Sequence, residues 1–154
     1  MISYEFSIRT VQAQPVMYVR GPVKFPELAA KIGEFLTEVG ACLTAHSVGT
    51  IGMPYTRYHV VNGEDIDLEA GIPVAAHLPE QGRVRAGTLP GSEAAVTSHY
   101  GPYEGLVAAG TALAKWTTAQ GREASGPNWE VYVTDPGMEP DPAKWRTDLY
   151  KPLK

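Results

Sequence analysis

The chain lacks the features that mark secreted, membrane-bound or nucleic-acid-binding proteins. Cys42 is the single cysteine among 154 residues, so no internal disulfide can form and a cytoplasmic location fits best. No apolar run approaches the roughly 18 residues of a membrane span, so no membrane partner is expected. Lys and Arg do not cluster and the net charge is −4, so we expect no direct contact with nucleic acid.

Residue patterns typical of metal, cofactor or nucleophile sites are missing as well. No glycine-rich phosphate loop opens a helix, and no serine occupies a nucleophile elbow. Cys42 follows Gly40 at a predicted helix end, where it is expected to be a small packing residue. Metal-ligand spacing is not found among the four histidines, His46, His59, His77 and His99. We therefore expect neither a metal nor a cofactor.

What the chain does contain is a pattern that occurs twice. Residues 16–22 (VMYVRGP) resemble residues 96–102 (VTSHYGP), and residues 33–40 (GEFLTEVG) resemble residues 114–121 (AKWTTAQG). The first pair is offset by 80 residues and the second by 81, and both occur in the same order. Such a constant offset indicates an internal duplication.

Each copy contains one amphipathic helix. The first is predicted over about 25–40, with Pro26 in its first turn and Gly40 at its C-terminal cap. The second is predicted over about 103–120 and closed by Gly121. Apolar residues at helical spacing define their buried faces: Leu28, Ile32, Phe35 and Val39 in the first, and Leu106, Ala109, Leu113 and Trp116 in the second.

These patterns predict an α+β fold in one domain over residues 1–154. Two strand–helix–strand–strand halves, about 1–77 and 83–154, are expected to carry antiparallel sheets with the helices on one face. The polar segment 78–87 (LPEQGRVRAG) is predicted to link the halves, and 136–144 (PGMEPDPAK) to be a loop before the last strand. A central groove between the halves is the expected small-molecule site.

The segment NWEVYVTDPG (128–137) alternates as a strand does. Trp129, Val131 and Val133 form an apolar face, which we expect to lie under the helix. Glu130 and Tyr132 share the other face. The residues alone leave two alternatives for Glu130, which are open solvent and the wall of a cleft.

Several segments together resemble the GyrI-like small-molecule-binding family, which includes the effector-binding domains of multidrug-responsive transcription regulators. They are DIDLEAGIPV (65–74), SHYGPYEGL (98–106), KWTTAQG (115–121), GPNWEVYVTDPG (126–137) and WRTDLYKPL (145–153). The resemblance runs from about Tyr4 to Leu153 and implies the duplicated fold described above. No helix-turn-helix pattern precedes the first strand pattern, so a stand-alone effector domain is expected.

The resemblance also implies a ligand and a residue that meets it. In drug-binding members, a glutamate on the groove face of the corresponding strand contacts cationic aromatic compounds, and Glu130 occupies that motif position. A cation relieves the cost of a carboxylate in apolar surroundings, and aromatic side chains stack on its rings. The expected ligand-binding residues are Glu130, Tyr132, Tyr55, Tyr58, Trp145 and Tyr103.

Two other functions are compatible with the sequence. Some stand-alone relatives are hydrolases that open cyclopropane-containing natural products, in which case Glu130 would be the general base and Tyr55 or Tyr132 the acid. A protein partner, such as gyrase or a regulator, is the third alternative. A DNA-mimicking surface would need dense acid, and 17 acidic against 13 basic residues is not dense.

Overall fold

A computed structural model describes residues 4–154, which form two helices and eight strands. Every strand pairing that the structure describes is antiparallel, which confirms the predicted α+β class. The strands are β1 (Phe6–Val11), β2 (Gln14–Lys24), β3 (Tyr55–Asn62), β4 (Asp65–Pro73), β5 (Arg85–Leu89), β6 (Ser92–Tyr100), β7 (Trp129–Tyr132) and β8 (Arg146–Pro152). The helices are α1 (Leu28–Ala45) and α2 (Leu106–Ala119).

The chain divides into two compact units. The first unit spans Ala13–Pro90, and the second comprises residues 4–12 together with Gly91–Lys154. Within residues 4–154, no helix is long and apolar enough to cross a membrane. The predicted division into repeats at about 1–77 and 83–154, with a groove between them, stays a prediction.

The first unit contains α1 and four strands in the order β3-β4-β2-β5. Side chains on one face of β2 and β4 pack against α1. Val19 and Ala70 are an example, since directly paired residues in an antiparallel ladder point to the same face. Phe35 and Val39 are buried on the helix as the periodicity predicts. The core of this unit therefore lies between α1 and one sheet face.

The end of α1 differs from the prediction. Gly40 does not cap the helix, which continues to Ala45. The additional turn buries Cys42 and Leu43 in the core, and burial of two apolar side chains outweighs the cost of about 1 kcal/mol for a glycine inside a helix. Cys42 is thus the packing residue that its surroundings suggest.

The second unit contains α2 and four strands in the order β1-β6-β8-β7. Ala109 and Leu113 of α2 pack with Ala95 of β6 and Leu149 of β8. Trp116 completes the predicted helix face and stacks on Phe6, with ring centroids 5.4 Å apart. Gly121 adopts a positive φ of 71° just after the helix, as expected of a residue that ends it.

Two edge strands were not assigned correctly from the sequence. The segment 78–87, predicted as a linker, overlaps the first three residues of β5, which pairs with β2 and completes the first unit. The strand that begins the chain, β1, pairs with β6 and so belongs to the second unit. Short edge strands carry little hydrophobic alternation, and Arg85 and Gly87 in β5 resemble loop residues.

The closest strand contact in the first unit gives a stability prediction. A Cβ on Gly71 would lie 2.6 Å from the carbonyl oxygen of Met17 and 2.7 Å from the Tyr55 hydroxyl. Gly71→Ala should therefore lower the free energy of unfolding by about 1 to 3 kcal/mol. Gly33→Ala is the matched control, because its Cβ meets nothing within 4 Å on α1 and should stabilise by about 0.5 to 1 kcal/mol. Urea denaturation measures both, and equal effects would contradict the assigned packing.

Candidate functional site

Glu130 lies on the face of the second unit's sheet against which α2 packs. It pairs with Leu149 in the ladder between β7 and β8, and directly paired residues point to the same face. Leu149 belongs to the core cluster that contains Ala109 and Leu113 of α2. Tyr132, two residues after Glu130, shares this face.

The prediction that Trp129, Val131 and Val133 lie under the helix is therefore wrong. Trp129 is buried as expected, but on the opposite face, where it stacks on Tyr150 with centroids 5.5 Å apart and planes 7° from parallel. Val133 lies beyond the end of β7. Alternation separates the two faces of a strand but does not say which one a helix covers, and a neighbouring aromatic ring buries Trp129 equally well.

The carboxylate of Glu130 is buried, which excludes the open-solvent alternative. Only 7% of the residue is exposed. The Tyr132 hydroxyl donates a hydrogen bond of 3.1 Å to Glu130 Oε1. A buried carboxylate is costly unless polar groups compensate it, so this phenol is part of what keeps Glu130 in place.

Three aromatic side chains form a cluster beside Glu130, which we call the aromatic cluster: Tyr103, Tyr132 and Trp145. The ring of Tyr103 lies 5.7 Å from that of Tyr132 and 5.0 Å from that of Trp145, both in tilted geometry. Tyr103 retains 36% of its surface exposed. The cluster thus connects a buried carboxylate to a ring that solvent and ligands can reach.

The environment of Tyr103 is electronegative. Burial raises the pKa of its phenol, and the charges of Asp135 and Glu130 raise it further. Carboxylate charge disfavours a phenolate in the same way that it favours a cation. The exposed end of the cluster therefore lies in a field that attracts positive charge.

The Gly-Pro-Tyr motif places Tyr103 at the start of α2. Gly101 has φ of 128°, a conformation that side chains rarely adopt, and its N–H donates to the Trp145 carbonyl at 2.8 Å. Pro102 then leads into a short 3-10 turn, Tyr103–Gly105, that continues as α2. This backbone hydrogen bond between Gly101 and Trp145 connects the segments that carry Tyr103 and Trp145, which we call the two outer rings of the cluster.

Trp145 is fixed by the loop that precedes β8. Its Nε1 donates to the Glu139 carbonyl at 2.8 Å, and its backbone N–H donates to Pro142 at 3.2 Å. Asp141 caps the 3-10 turn Pro142–Lys144 by accepting from the Ala143 N–H at 3.0 Å. The predicted loop is therefore an ordered support for one wall of the cluster.

Tyr55 and Tyr58, which were also expected to bind ligand, belong to β3 of the first unit. Tyr55 has none of its surface exposed, and its hydroxyl donates to the carboxylate of Glu69. Burial and the charge of Glu69 both raise the pKa of Tyr55, which makes it a weaker acid. Tyr58 pairs with Leu68 and packs against the core under α1. Their roles in binding or catalysis stay predictions.

Glu69 is a buried carboxylate that was not identified from the sequence. It is 6% exposed, accepts from Tyr55, and lies 2.7 Å from Nε2 of His59. A register shift between Tyr58 and Val60 accompanies the contact with His59. Tyr55 and His59 are four residues apart and share a face by strand alternation, but alternation within β3 does not show that β4 brings Glu69 beside them.

No metal centre is found in the part of the chain that the structure describes. Within it, no three His, Cys, Asp or Glu side chains group closely enough to hold a metal ion. The side chains that the second unit brings together are a carboxylate, two phenols and an indole. Such a set binds through charge, stacking and hydrogen bonds.

The family is established by comparison with known proteins. A model of the GyrI-like small-molecule-binding domain matches residues 4–154. The chain therefore belongs to the GyrI-like small-molecule-binding family. No curated protein sequence matches the chain.

Solved structures show the same fold at low sequence identity. The C-terminal domain of EcmrR is 20% identical with a TM-score of 0.88, and the match covers 99% of each chain. In the complex of EcmrR with DNA, the TM-score is 0.86 at 20% identity, and the match covers 98% of this chain but 57% of that protein's chain. This chain thus spans somewhat over half of EcmrR.

Two further relatives have descriptions that bear on function. A hydrolase from Listeria innocua is 11% identical with a TM-score of 0.68, and the match covers 97% of this chain and 92% of that one. SAV2435 bound to tetraphenylphosphonium is 12% identical with a TM-score of 0.66, and the match covers 97% of this chain and 94% of that one. At such identities the likeness shows the fold.

The electrostatic coupling between Glu130 and Tyr103 gives a titration prediction. Glu130→Gln removes one of the charges that raise the Tyr103 pKa, so that pKa should fall toward its usual value of about 10. The Tyr103 pKa should stay above its usual value, because burial and the charge of Asp135 still raise it. The titration is followed by NMR of labelled tyrosine, with the Tyr103 signal assigned through Tyr103→Phe. Glu104→Gln, an exposed acid in the same turn, is the control. An unchanged Tyr103 titration in Glu130→Gln would refute the coupling.

Proposed function

We propose that the protein binds amphipathic aromatic cations, with Glu130 as the charge partner and the aromatic cluster as the stacking surface. The observation that carries this proposal is the buried carboxylate next to three rings, one of which is exposed. Family membership supports a small-molecule ligand in general. The charge and shape of that ligand are inferred from the side chains.

Charge complementarity is the first argument. A carboxylate held among aromatic rings loses much of its hydration, and an entering cation restores favourable interactions. A delocalised organic cation loses less hydration than a compact ammonium ion when it leaves water. The Tyr132 hydroxyl donates to Glu130 Oε1, and the charges of Glu130 and Asp135 both act on the exposed ring of Tyr103. The site is therefore suited to lipophilic cations.

Ring geometry is the second argument. Tilted rings at 5.0 Å and 5.7 Å present both faces and edges to an incoming ligand. Contact between a cation and each ring contributes about 0.5 to 2 kcal/mol, depending on how far water is excluded. Tetraphenylphosphonium, the ligand in the structure of SAV2435, is a cation of this kind. It is the natural first probe for this protein.

The setting of this activity follows from the composition. A single cysteine, buried in the core, suits a reducing compartment, so we place the protein in the cytoplasm. Its partner there is the small molecule. A protein partner that responds to ligand binding, such as a regulator or gyrase, stays a prediction.

Hydrolysis is a second candidate function, which one contact favours. The Tyr132 hydroxyl lies 3.1 Å from Glu130, so a phenol and a carboxylate stand together as an acid and a base would. Glu130 would take a proton from a water that attacks a cyclopropane carbon. The ring C–C bond would break, its electron pair would move to a conjugated carbonyl, and Tyr132 would protonate the resulting enolate oxygen and be reprotonated by Glu130. Tyr132 suits this role better than Tyr55, because Tyr132 contacts Glu130 itself, whereas Tyr55 has no exposed surface and donates to Glu69. The relative described as a hydrolase gives the idea independent support.

Replacement of Glu130 by glutamine tests the binding proposal. Glu130→Gln keeps the shape of the side chain and removes its charge. Tetraphenylphosphonium has no hydrogen-bond donor, so the variant removes charge attraction, which is worth about 3 kcal/mol at roughly 5 Å and an effective dielectric constant of about 20, and less where water screens it. The affinity for tetraphenylphosphonium should therefore fall about tenfold to a hundredfold. Affinity for triphenylmethane, a neutral aromatic ligand without a polar group, should change little. Titration calorimetry measures both, and Glu104→Gln, in the exposed turn before α2, should affect neither ligand.

The same variant separates binding from catalysis. If Glu130 is a general base, Glu130→Gln should leave the affinity for a neutral cyclopropane substrate nearly unchanged and reduce turnover by about two to four orders of magnitude. Product formation is followed by chromatography. A wild-type protein that binds the cation without turnover supports the first candidate. If Glu130→Gln changes neither cation affinity nor turnover, both functions assigned to Glu130 are wrong.

A further inference from the structure

His99 occupies a buried position beside the cation site that the proposed function does not use. It is 2% exposed near the end of β6. In the ladder it pairs with Thr147, which in turn pairs with Tyr132, so the three side chains form one row on the face of Glu130. A buried imidazole at this place must have hydrogen-bond partners.

Both ring nitrogens of His99 have a partner. Nε2 lies 2.9 Å from the carbonyl oxygen of Pro102, and Nδ1 lies 3.3 Å from the hydroxyl of Tyr4. A carbonyl only accepts, so Nε2 carries the proton and donates to Pro102. In the neutral ring, Nδ1 then accepts from Tyr4. The imidazole thus links the N-terminal segment to the turn that precedes α2.

The turn is shaped around the ring of His99. A Cβ on Gly105 would lie 2.5 Å from Cε1 of His99, so only a glycine allows this approach. The Pro102 carbonyl also accepts the Gly105 N–H at 3.2 Å, which closes the 3-10 turn over the imidazole. Tyr103 lies between these two residues and has little freedom to move while His99 is in place.

We propose that His99 is a positioning residue for the cation site, because it holds the turn that aims Tyr103 at the ligand. This inference rests on the proposed function, in which Tyr103 is the exposed ring of the aromatic cluster. His99 does not touch the ligand. It acts through the Pro102 carbonyl, and the bond between Gly101 and Trp145 extends the effect to the second outer ring.

Two substitutions of His99 test whether the hydrogen bond to the Pro102 carbonyl is the one that matters. The amide nitrogen of glutamine reaches about as far as Nε2, so His99→Gln should retain the bond to Pro102. An asparagine side chain reaches only as far as Nδ1, so His99→Asn should lose it. His77→Asn is the matched control, because the Nε2 of exposed His77 also contacts a backbone carbonyl, that of Gly87 in the first unit.

A double-mutant cycle with Tyr103→Leu is the decisive test, with calorimetric affinity for tetraphenylphosphonium as the readout. Loss of one ring contact should weaken binding about twofold to thirtyfold. His99→Asn should weaken binding by a similar factor, and it should cause no further loss in a protein that already carries Tyr103→Leu. His99→Gln should bind the cation with nearly the wild-type affinity. Additive losses, or equal losses in the asparagine and glutamine variants, would overturn the proposal. If His99→Asn does not fold, Gly105→Ala, whose Cβ would lie 2.5 Å from Cε1 of His99 and would push the turn off the imidazole, replaces it in the cycle with the same expected non-additivity.

A second readout does not depend on the ligand. In protein labelled with 3-fluorotyrosine, the fluorine signal of Tyr103 should shift or broaden in His99→Asn and stay unchanged in His77→Asn. An unaffected Tyr103 signal would refute the positioning role. If the wild-type protein fails to bind the cation while this signal responds as expected, the proposed function is wrong and the positioning role of His99 stands.

Discussion

The burial of the Glu130 carboxylate is the constraint on which the arrangement of the second unit depends. A carboxylate on the α2 side of a sheet is tolerated only when neighbouring groups compensate the lost hydration. Tyr132, on the same strand face, donates one hydrogen bond to it, and the ring of Tyr132 in turn packs against Tyr103 of the aromatic cluster. The turn before α2 and the loop before β8 are the two backbone segments that keep the outer rings in place.

The two units use similar elements to hold a buried carboxylate in different ways. In the first unit, Glu69 lies on the sheet face opposite α1, where Tyr55 and His59 both contact it. Tyr55 has no exposed surface and Glu69 is almost fully buried, so these hydrogen-bonded side chains are part of the packed interior. In the second unit, Glu130 lies on the α2 side and adjoins an exposed ring. Each unit thus holds a buried glutamate, on the side of its own helix in the second unit and on the side away from it in the first.

Periodicity was enough to predict the helices and to group Glu130 with Tyr132, because both inferences depend only on local geometry. It did not reveal that α2 packs on the face of Glu130, since that choice depends on how β7 pairs with β8. The strand β5 was missed because an edge strand needs little apolar alternation. The contact of Glu69 with Tyr55 and His59 was missed because it depends on the pairing of β3 with β4, which the alternation within one strand does not show. The predicted ligand-binding set already contained Tyr103 and Trp145, and the structure adds that their rings contact each other and that Tyr103 contacts Tyr132.

A crystal structure of the protein with tetraphenylphosphonium tests the central claim most directly. The account predicts that the phosphonium centre lies next to the Glu130 carboxylate and within about 6 Å of the centroid of at least one ring of the aromatic cluster, the range of a cation–π contact. Density for the cation at any other place, with the aromatic cluster unchanged and Glu130 without contact to the ligand, would contradict it.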